Sequence, residues 1–312
     1  MELIALAVLG LGTLGFLMMG DDEPESTQDN PAPEPTAGND YIDLDALAAG
    51  AQPQGGLGND TIVADLGAPD LGPIDGGDGD DVIVERRGAG QIYGGDGNDH
   101  LTIDGLSTDA LIDGGAGNDT ITGTSLYDGD STISGGAGDD MIELAYNYGP
   151  GQVLNIDGGD GDDTIRFQHA PSNGNSDGTM QYVSGGDGAD RIEVELREGF
   201  IDLDRQSLHD TAFDLTEDGA IETIPSLFID DFQPGIDKLV FEAEPDEDAV
   251  YPLALESYEI DVSEDGQDTH VVYRIISEAN ERPVQGTVVL RGVTGLSESD
   301  IEFEPADPSL AG

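Results

Sequence analysis

The chain has no cysteine and no tryptophan, and only 10 of its 312 residues are Lys or Arg. Without cysteine there is no disulfide framework, no thiolate zinc site and no thiol nucleophile. So few basic side chains do not neutralise the phosphates that a nucleic-acid binder must contact, nor do they dock a protein on an anionic membrane surface. Aromatic residues are scarce, at 5%. No HExxH segment occurs, and no serine-hydrolase elbow is read.

The chain has acid and glycine in excess. There are 67 Asp and Glu residues and 46 glycines, and the net charge is −57. Self-repulsion at this density opposes any compact state. Disorder would be one outcome, but Leu, Ile, Val and Phe together make up about 24% of the chain, above the roughly 20% below which disorder is the default. The other outcome is a bound cation that cancels carboxylate charge, and the rest of the sequence favours it.

Residues 3–19 form one apolar run with acidic flanks, Glu2 and Asp21-Asp22. A 17-residue helix rises about 25 Å, slightly short of a bilayer core. Four readings stay open for it: a membrane-inserted hydrophobic helix, an atypical export signal, a mispredicted start, or a packed helix. Its Gly10-x-Gly12-x-x-Gly15 pattern lacks the βαβ context of a dinucleotide site. Residues 21–38, charged and Pro-rich, read as a disordered linker.

From about 39 to 195 the chain repeats. Seven nine-residue motifs begin at Gly55, Gly76, Gly94, Gly114, Gly135, Gly158 and Gly185. Each has Gly at positions 1, 2 and 4, Asp at position 6 and an aliphatic residue at position 8. A decayed copy at 38–42 lacks the glycine pair. The spacing is about 20 residues and lengthens toward the C-terminal end. A second aliphatic column (Ile74, Ile92, Ile112, Ile133, Ile156, Val183) lies two residues ahead of each glycine pair. The period predicts stacked coils, each a glycine turn followed by a short strand, with one irregular return such as Arg86–Gly90. Glycine at 1, 2 and 4 frees the backbone to bring carbonyls close together. Strands stacked about 4.8 Å apart place the position-6 carboxylates in a file. Such a file repels itself unless a hard dication lies between turns. Ca²⁺, which takes 6 to 8 oxygens in flexible geometry, suits it better than Mg²⁺.

These motifs resemble the nonapeptides of the repeats-in-toxin (RTX) family, a calcium-binding parallel β-helix repeat. The resemblance implies an all-β fold: a right-handed parallel β-helix, or calcium β-roll, over 39–195, capped by a C-terminal β domain over 196–312. It implies side-chain calcium ligands at Asp60, Asp81, Asp99, Asp119, Asp140, Asp163 and Asp190. Carbonyl ligands would come from the motif glycines Gly56, Gly58, Gly77, Gly79, Gly95, Gly97, Gly115, Gly117, Gly136, Gly138, Gly159, Gly161, Gly186 and Gly188, and from Asn59, Asp80, Asn98, Asn118, Asp139 and Asp162 at position 5. One motif per coil, where family members often run two, leads us to expect a single row of about six Ca²⁺ ions. Residues 229–239 and 288–303 are similar to the closing and secretion segments of serralysin-type, type I secreted proteins.

Beyond the repeats, Val271–Ile275 and Gly286–Leu290 read as strands, and Asp265-Gly266 as a hairpin turn. Two EF-hand-like loops, 214–225 and 261–272, lack the Glu required at position 12. His100, His169, His209 and His270 read as exposed loop or strand residues. Arg86-Arg87 reads as a solvated return, and Tyr146 and Tyr148 as a loop packed on the coil. The expectation is an extracellular protein that folds on calcium after export and has a structural or adhesive role. Its partners would be calcium, cell-surface or glycan ligands and the type I secretion machinery. Nucleic acid is excluded, and membrane contact is confined to residues 3–19. The alternative is a secreted enzyme with an unrecognised site; a toxin fits less well.

Overall fold

A computed structural model of the chain describes residues 36–47, 50–64, 72–86, 90–104, 109–124, 130–145, 153–169, 180–196, 221–222, 227–243, 253–277 and 284–305. The apolar run at 3–19, nearly all of the linker, the loop 214–220 and Tyr146 and Tyr148 lie outside these residues. Among the described residues no helix is long and apolar enough to cross a membrane.

The strand after each glycine turn begins at the residue following the position-6 aspartate and alternates side chains in and out, as period-2 geometry requires. The strands Tyr41–Asp43, Thr61–Ala64, Val82–Glu85, His100–Asp104, Thr120–Thr124, Met141–Ala145, Thr164–His169 and Arg191–Leu196 pair in parallel, each with the next coil. Their position-8 residues stack in register as one inward column, Ile62, Ile83, Leu101, Ile121, Ile142, Ile165 and Ile192, all buried. The strands that lead into the glycine pairs form a second parallel sheet, whose inward column is Ile74, Ile92, Ile112, Ile133, Ile156 and Val183. The two columns face each other, so each coil closes a slice of core. Burying one such side chain stabilises by roughly 1.5–3 kcal/mol.

The lengthening of the repeat has a physical counterpart. Two residues beyond position 8, the stacked residues run Ala64, Glu85, Ile103, Gly123, Leu144, Phe167, Val194 and Phe241. The interior therefore widens toward the C-terminal end, where larger side chains fill it. There the strands lengthen to 8 residues, as in Val153–Asp160 and Met180–Asp187.

The glycine motif stops after the seventh copy, but the parallel stacking continues. Leu227–Asp230 and Lys238–Ala243 add one coil in register with the last repeat, with Ile229 and Leu239 in the two aliphatic columns. Val284–Leu290 and Ile301–Pro305 add another. Among the described residues one sheet thus has ten strands and the other twelve, eleven along its main path and the short strand Ile221–Glu222 paired off it with Val284–Leu290. The expected strands and the Asp265-Gly266 turn are present: Leu253–Val262 and Thr269–Ser277 form an antiparallel hairpin that extends the second sheet beyond Val284–Leu290. Residues 261–272 belong to this hairpin. Tyr258 packs on Phe303, Phe303 on Phe241 and Phe241 on Tyr273, which closes the wide end of the core.

His100 is an exposed strand residue, as expected, but His169 is buried. It points into the widened interior, where its Nδ1 lies 2.7 Å from Gln181 Oε1. Burial pushes its pKa down to about 4, so the ring is neutral. A G-x-S-x-G pattern does occur at residues 174–178, between the strands Thr164–His169 and Met180–Asp187. The pattern itself lies outside the described residues; the next described element after it is a strand, whereas a nucleophile elbow leads into a helix.

Candidate metal centre

The turn Gly114–Asp119 represents all seven. Gly115 and Gly117 have φ of 110° and 129°, a region that side chains other than glycine rarely enter. A Cβ on Gly115 would lie 2.1 Å from the Gly95 carbonyl oxygen, and one on Gly117 2.0 Å from that of Gly97. The turns therefore nest, each pressing its backbone on the carbonyls of the coil before. All fourteen glycines at positions 2 and 4 have positive φ.

The position-6 aspartates form a continuous ladder. Each Oδ1 accepts the backbone N–H of the equivalent aspartate one coil earlier: Asp60 to Asp81 at 2.6 Å, Asp99 to Asp119 at 2.7 Å and Asp163 to Asp190 at 3.0 Å. At the N-terminal end Asp40, in the decayed copy, donates its N–H to Asp60 at 2.6 Å. At the other end the Asp190 N–H bonds Asp237, 3.1 Å away. All seven motif aspartates are buried, at 1–3% exposure.

Their second oxygens are the unusual feature. Oδ2 of Asp60, Asp81, Asp99, Asp119, Asp140, Asp163 and Asp190 is buried without any hydrogen-bond partner. Buried polar atoms are normally paired, and an orphaned carboxylate oxygen is costly. Each Oδ2 aims at the first glycine of its own turn. A Cβ on Gly55 would lie 2.3 Å from Asp60 Oδ2 and 2.2 Å from the Gly76 carbonyl oxygen. For Gly158 the matching distances are 2.4 Å to Asp163 Oδ2 and 2.4 Å to the Gly185 carbonyl oxygen. Six successive coil pairs bring a carboxylate oxygen and the next coil's carbonyl oxygen together in this way.

The ends of the row differ. Asp40 Oδ2 accepts from the Thr36 hydroxyl at 2.7 Å. Asp237 Oδ2 accepts the Gln233 N–H at 2.6 Å. Both terminal aspartates hold the ladder and leave no orphaned oxygen.

Burial raises the pKa of Asp81, Asp99, Asp119, Asp140, Asp163 and Asp190. Asp99 and Asp140 are pushed up to about 7, and Asp81 and Asp190 to about 6. Desolvation is the largest cause, the N–H bond to Oδ1 opposes it, and neighbouring carboxylates add to it. Asp119 and Asp163 shift in the same direction. A dication beside each Oδ2 removes this penalty, because an opposite charge favours the ionised form. Among the described residues no three His, Asp or Glu side chains converge on one point. An ion here would draw one carboxylate and main-chain carbonyls from successive coils, an all-oxygen set that suits Ca²⁺.

A family model for the RTX calcium-binding nonapeptide repeat matches residues 54–69, 104–125, 127–144 and 155–167. The chain carries RTX repeats. Calcium is the ion these repeats bind, and the orphaned oxygens fit that ion. The RTX geometry also recurs at the three motifs outside the matched stretches, starting at Gly76, Gly94 and Gly185. No curated protein matches the chain.

The position-5 residues of the RTX turns lie at the solvent edge, where their side chains form a second ladder of opposite polarity. Asn98 Oδ1 accepts the Asn118 N–H at 2.8 Å, and Asp139 Oδ1 accepts the Asp162 N–H at 3.0 Å. The ladder ends where Ala189 donates to Asp162 and has no acceptor to pass on. Three residues at the row's ends had not been singled out from the sequence. Asp40 and Asp237 are two of them. The third is Asp231, which has φ of 60° and accepts the N–H groups of Gly185 and Gly186, capping the last glycine pair. The only sequence signal for the last two was the similarity of 229–239 to a closing segment.

Proposed function

We propose that the protein is an extracellular, structural or adhesive calcium-binding module that is exported unfolded and closes its RTX coils on meeting external calcium. The seven buried, unpaired carboxylate oxygens carry this reading. In low calcium they make the closed roll costly, and with ions seated along the row they become its staples. Six meeting points from seven turns support a row of about six ions. Affinities would fall near the roughly 10⁻⁴–10⁻³ M range of extracellular modules. Binding energy then adds to folding energy by linkage. Calcium would serve here where secreted domains use disulfides.

The test is circular dichroism of the full chain in EDTA, titrated with Ca²⁺ and separately with Mg²⁺. A calcium-selective rise in β signal and in Tm is expected. A chain fully folded in EDTA and indifferent to calcium would overturn the mechanism. Binding to cells and glycans, set against hydrolase assays on the calcium-loaded protein, separates the adhesive role from an enzymatic one.

A further inference from the structure

One outward-facing column of the second sheet has a regular alternation that the RTX motif does not require. The residues just ahead of the glycine pairs are Gln54, Asp75, Tyr93, Asp113, Ser134, Asp157 and Ser184, stacked in register. Every second coil carries an aspartate, so like charges in this column stand two coil steps apart, about 9.6 Å.

Asp75 and Asp113 are half-buried and Asp157 is exposed. Asp113 accepts the N–H of Gly115, the second glycine of its own motif. Asp75, Asp113 and Asp157 interact electrostatically with Asp81, Asp119 and Asp163 respectively, the position-6 aspartates of their own coils. Each of those has its Oδ2 buried and unpartnered. Asp113 also directly precedes Gly114, whose carbonyl oxygen meets Asp99 Oδ2 at the coil before. One outer aspartate is therefore tied to two successive oxygen pairs: by chain adjacency to Asp99 Oδ2 with the Gly114 carbonyl, and electrostatically to Asp119 Oδ2 with the Gly135 carbonyl. Asp75 stands in the same relation to the pairs starting at Asp60 and Asp81, and Asp157 to those starting at Asp140 and Asp163.

We propose that Asp75, Asp113 and Asp157 form an accessory carboxylate row in which each residue serves two neighbouring calcium sites, so that the six ions are held as three pairs. This rests on the calcium reading given above and adds to it a role for residues outside the nonapeptide. Calcium affinity in all-oxygen sites rises with the number of ligand charges. An acid in every coil would give each site two outer charges and would crowd the column with repulsion. Alternation gives every site one.

The experiment is a calcium titration of the full chain by equilibrium dialysis, comparing wild type, Asp113→Asn, the triple variant D75N/D113N/D157N, and Ser134→Asp. Asn preserves the oxygen that accepts the Gly115 N–H, so the fold of the turn is retained. Asp113→Asn should weaken two of about six ions by roughly tenfold and leave the others unchanged. The triple variant should weaken all six. Ser134→Asp, which adds an acid beside the pairs starting at Asp119 and Asp140, should tighten two ions; it keeps the idea testable if Asp113→Asn folds poorly. Titrations of Asp113→Asn and Ser134→Asp that superimpose on wild type would overturn the accessory row while leaving the calcium reading intact. A weakening confined to one ion would overturn the pairing. A wild-type chain that binds no calcium would overturn both.

Discussion

A single methyl group at Gly114 would stand 2.6 Å from Asp119 Oδ2 and 2.4 Å from the Gly135 carbonyl oxygen. Gly114→Ala should therefore cost about 1–3 kcal/mol through overpacking and remove one ion from the calcium count, read by dialysis and by Tm in calcium. Gly115→Ala should cost more, because its φ of 110° adds backbone strain to a clash with the Gly95 carbonyl. The carboxyls respond to pH in a defined direction. Folded-state pKa values raised to about 6 and about 7 at Asp81, Asp190, Asp99 and Asp140 mean that the folded, metal-free chain binds protons more tightly than the unfolded one. That stabilisation is full below the ordinary carboxyl value of 3.8 and is lost as pH rises through about 6 to 7. Thermal melts in EDTA should give a higher Tm at pH 5 than at pH 8. In calcium the order should reverse, because protons then compete with the ion.

The elements differ in how far their roles could be read from sequence. The two aliphatic columns and the glycine turns were legible, because Ile62 and Ile74 recur at a fixed distance from an unmistakable glycine pair. The ends of the row were not. The turn that carries Asp231 and Asp237 has one residue more than a motif turn and no glycine pair, so the ladder position of Asp237 shows only in three dimensions. The burial of His169 was hidden in the same way, since it depends on the widening of the coil rather than on any local pattern. The ladder geometry separates two substitutions that look alike in sequence. Asp237→Asn sets an amide N–H donor against either the Gln233 or the Asp190 N–H, a buried mismatch worth about 1–3 kcal/mol. It should lower Tm equally in EDTA and in calcium without changing the calcium count. Asp140→Asn, whose lost charge sits at an orphaned oxygen, should lower Tm in calcium only and drop one ion.

Across the whole molecule, charge is unevenly compensated. Only two of the ten basic residues, Arg86 and Arg87, precede residue 166. The last coils are tied across the sheet by Arg166 with Glu242, Arg191 with Glu302 at 3.0 Å and Lys238 with Glu302 at 3.9 Å. In EDTA the N-terminal coils have carboxylates and little to offset them. Raising NaCl from about 0.01 M to about 1 M, which shortens the screening length from about 30 to about 3 Å, should therefore compact the metal-free chain, as a falling radius of gyration in small-angle X-ray scattering. The same change should leave the calcium-loaded chain nearly unaltered.

The stacked interior residues differ from coil to coil, from Ala64 in an early one to Phe241 in a late one. Were the coils uniform, any slice could be lifted out and the cut faces rejoined. Because their filling differs, only neighbours of like girth rejoin. Excising residues 94–113 brings Gly76–Tyr93 against Gly114, two slender slices with matched aliphatic columns, and should give a shorter protein that folds and takes up one ion fewer. Excising 158–184 sets Leu144 beside Val194 and removes Phe167 from beneath the aromatic end, and should yield a chain that does not close. Length is thus adjustable at the narrow end and fixed at the broad one.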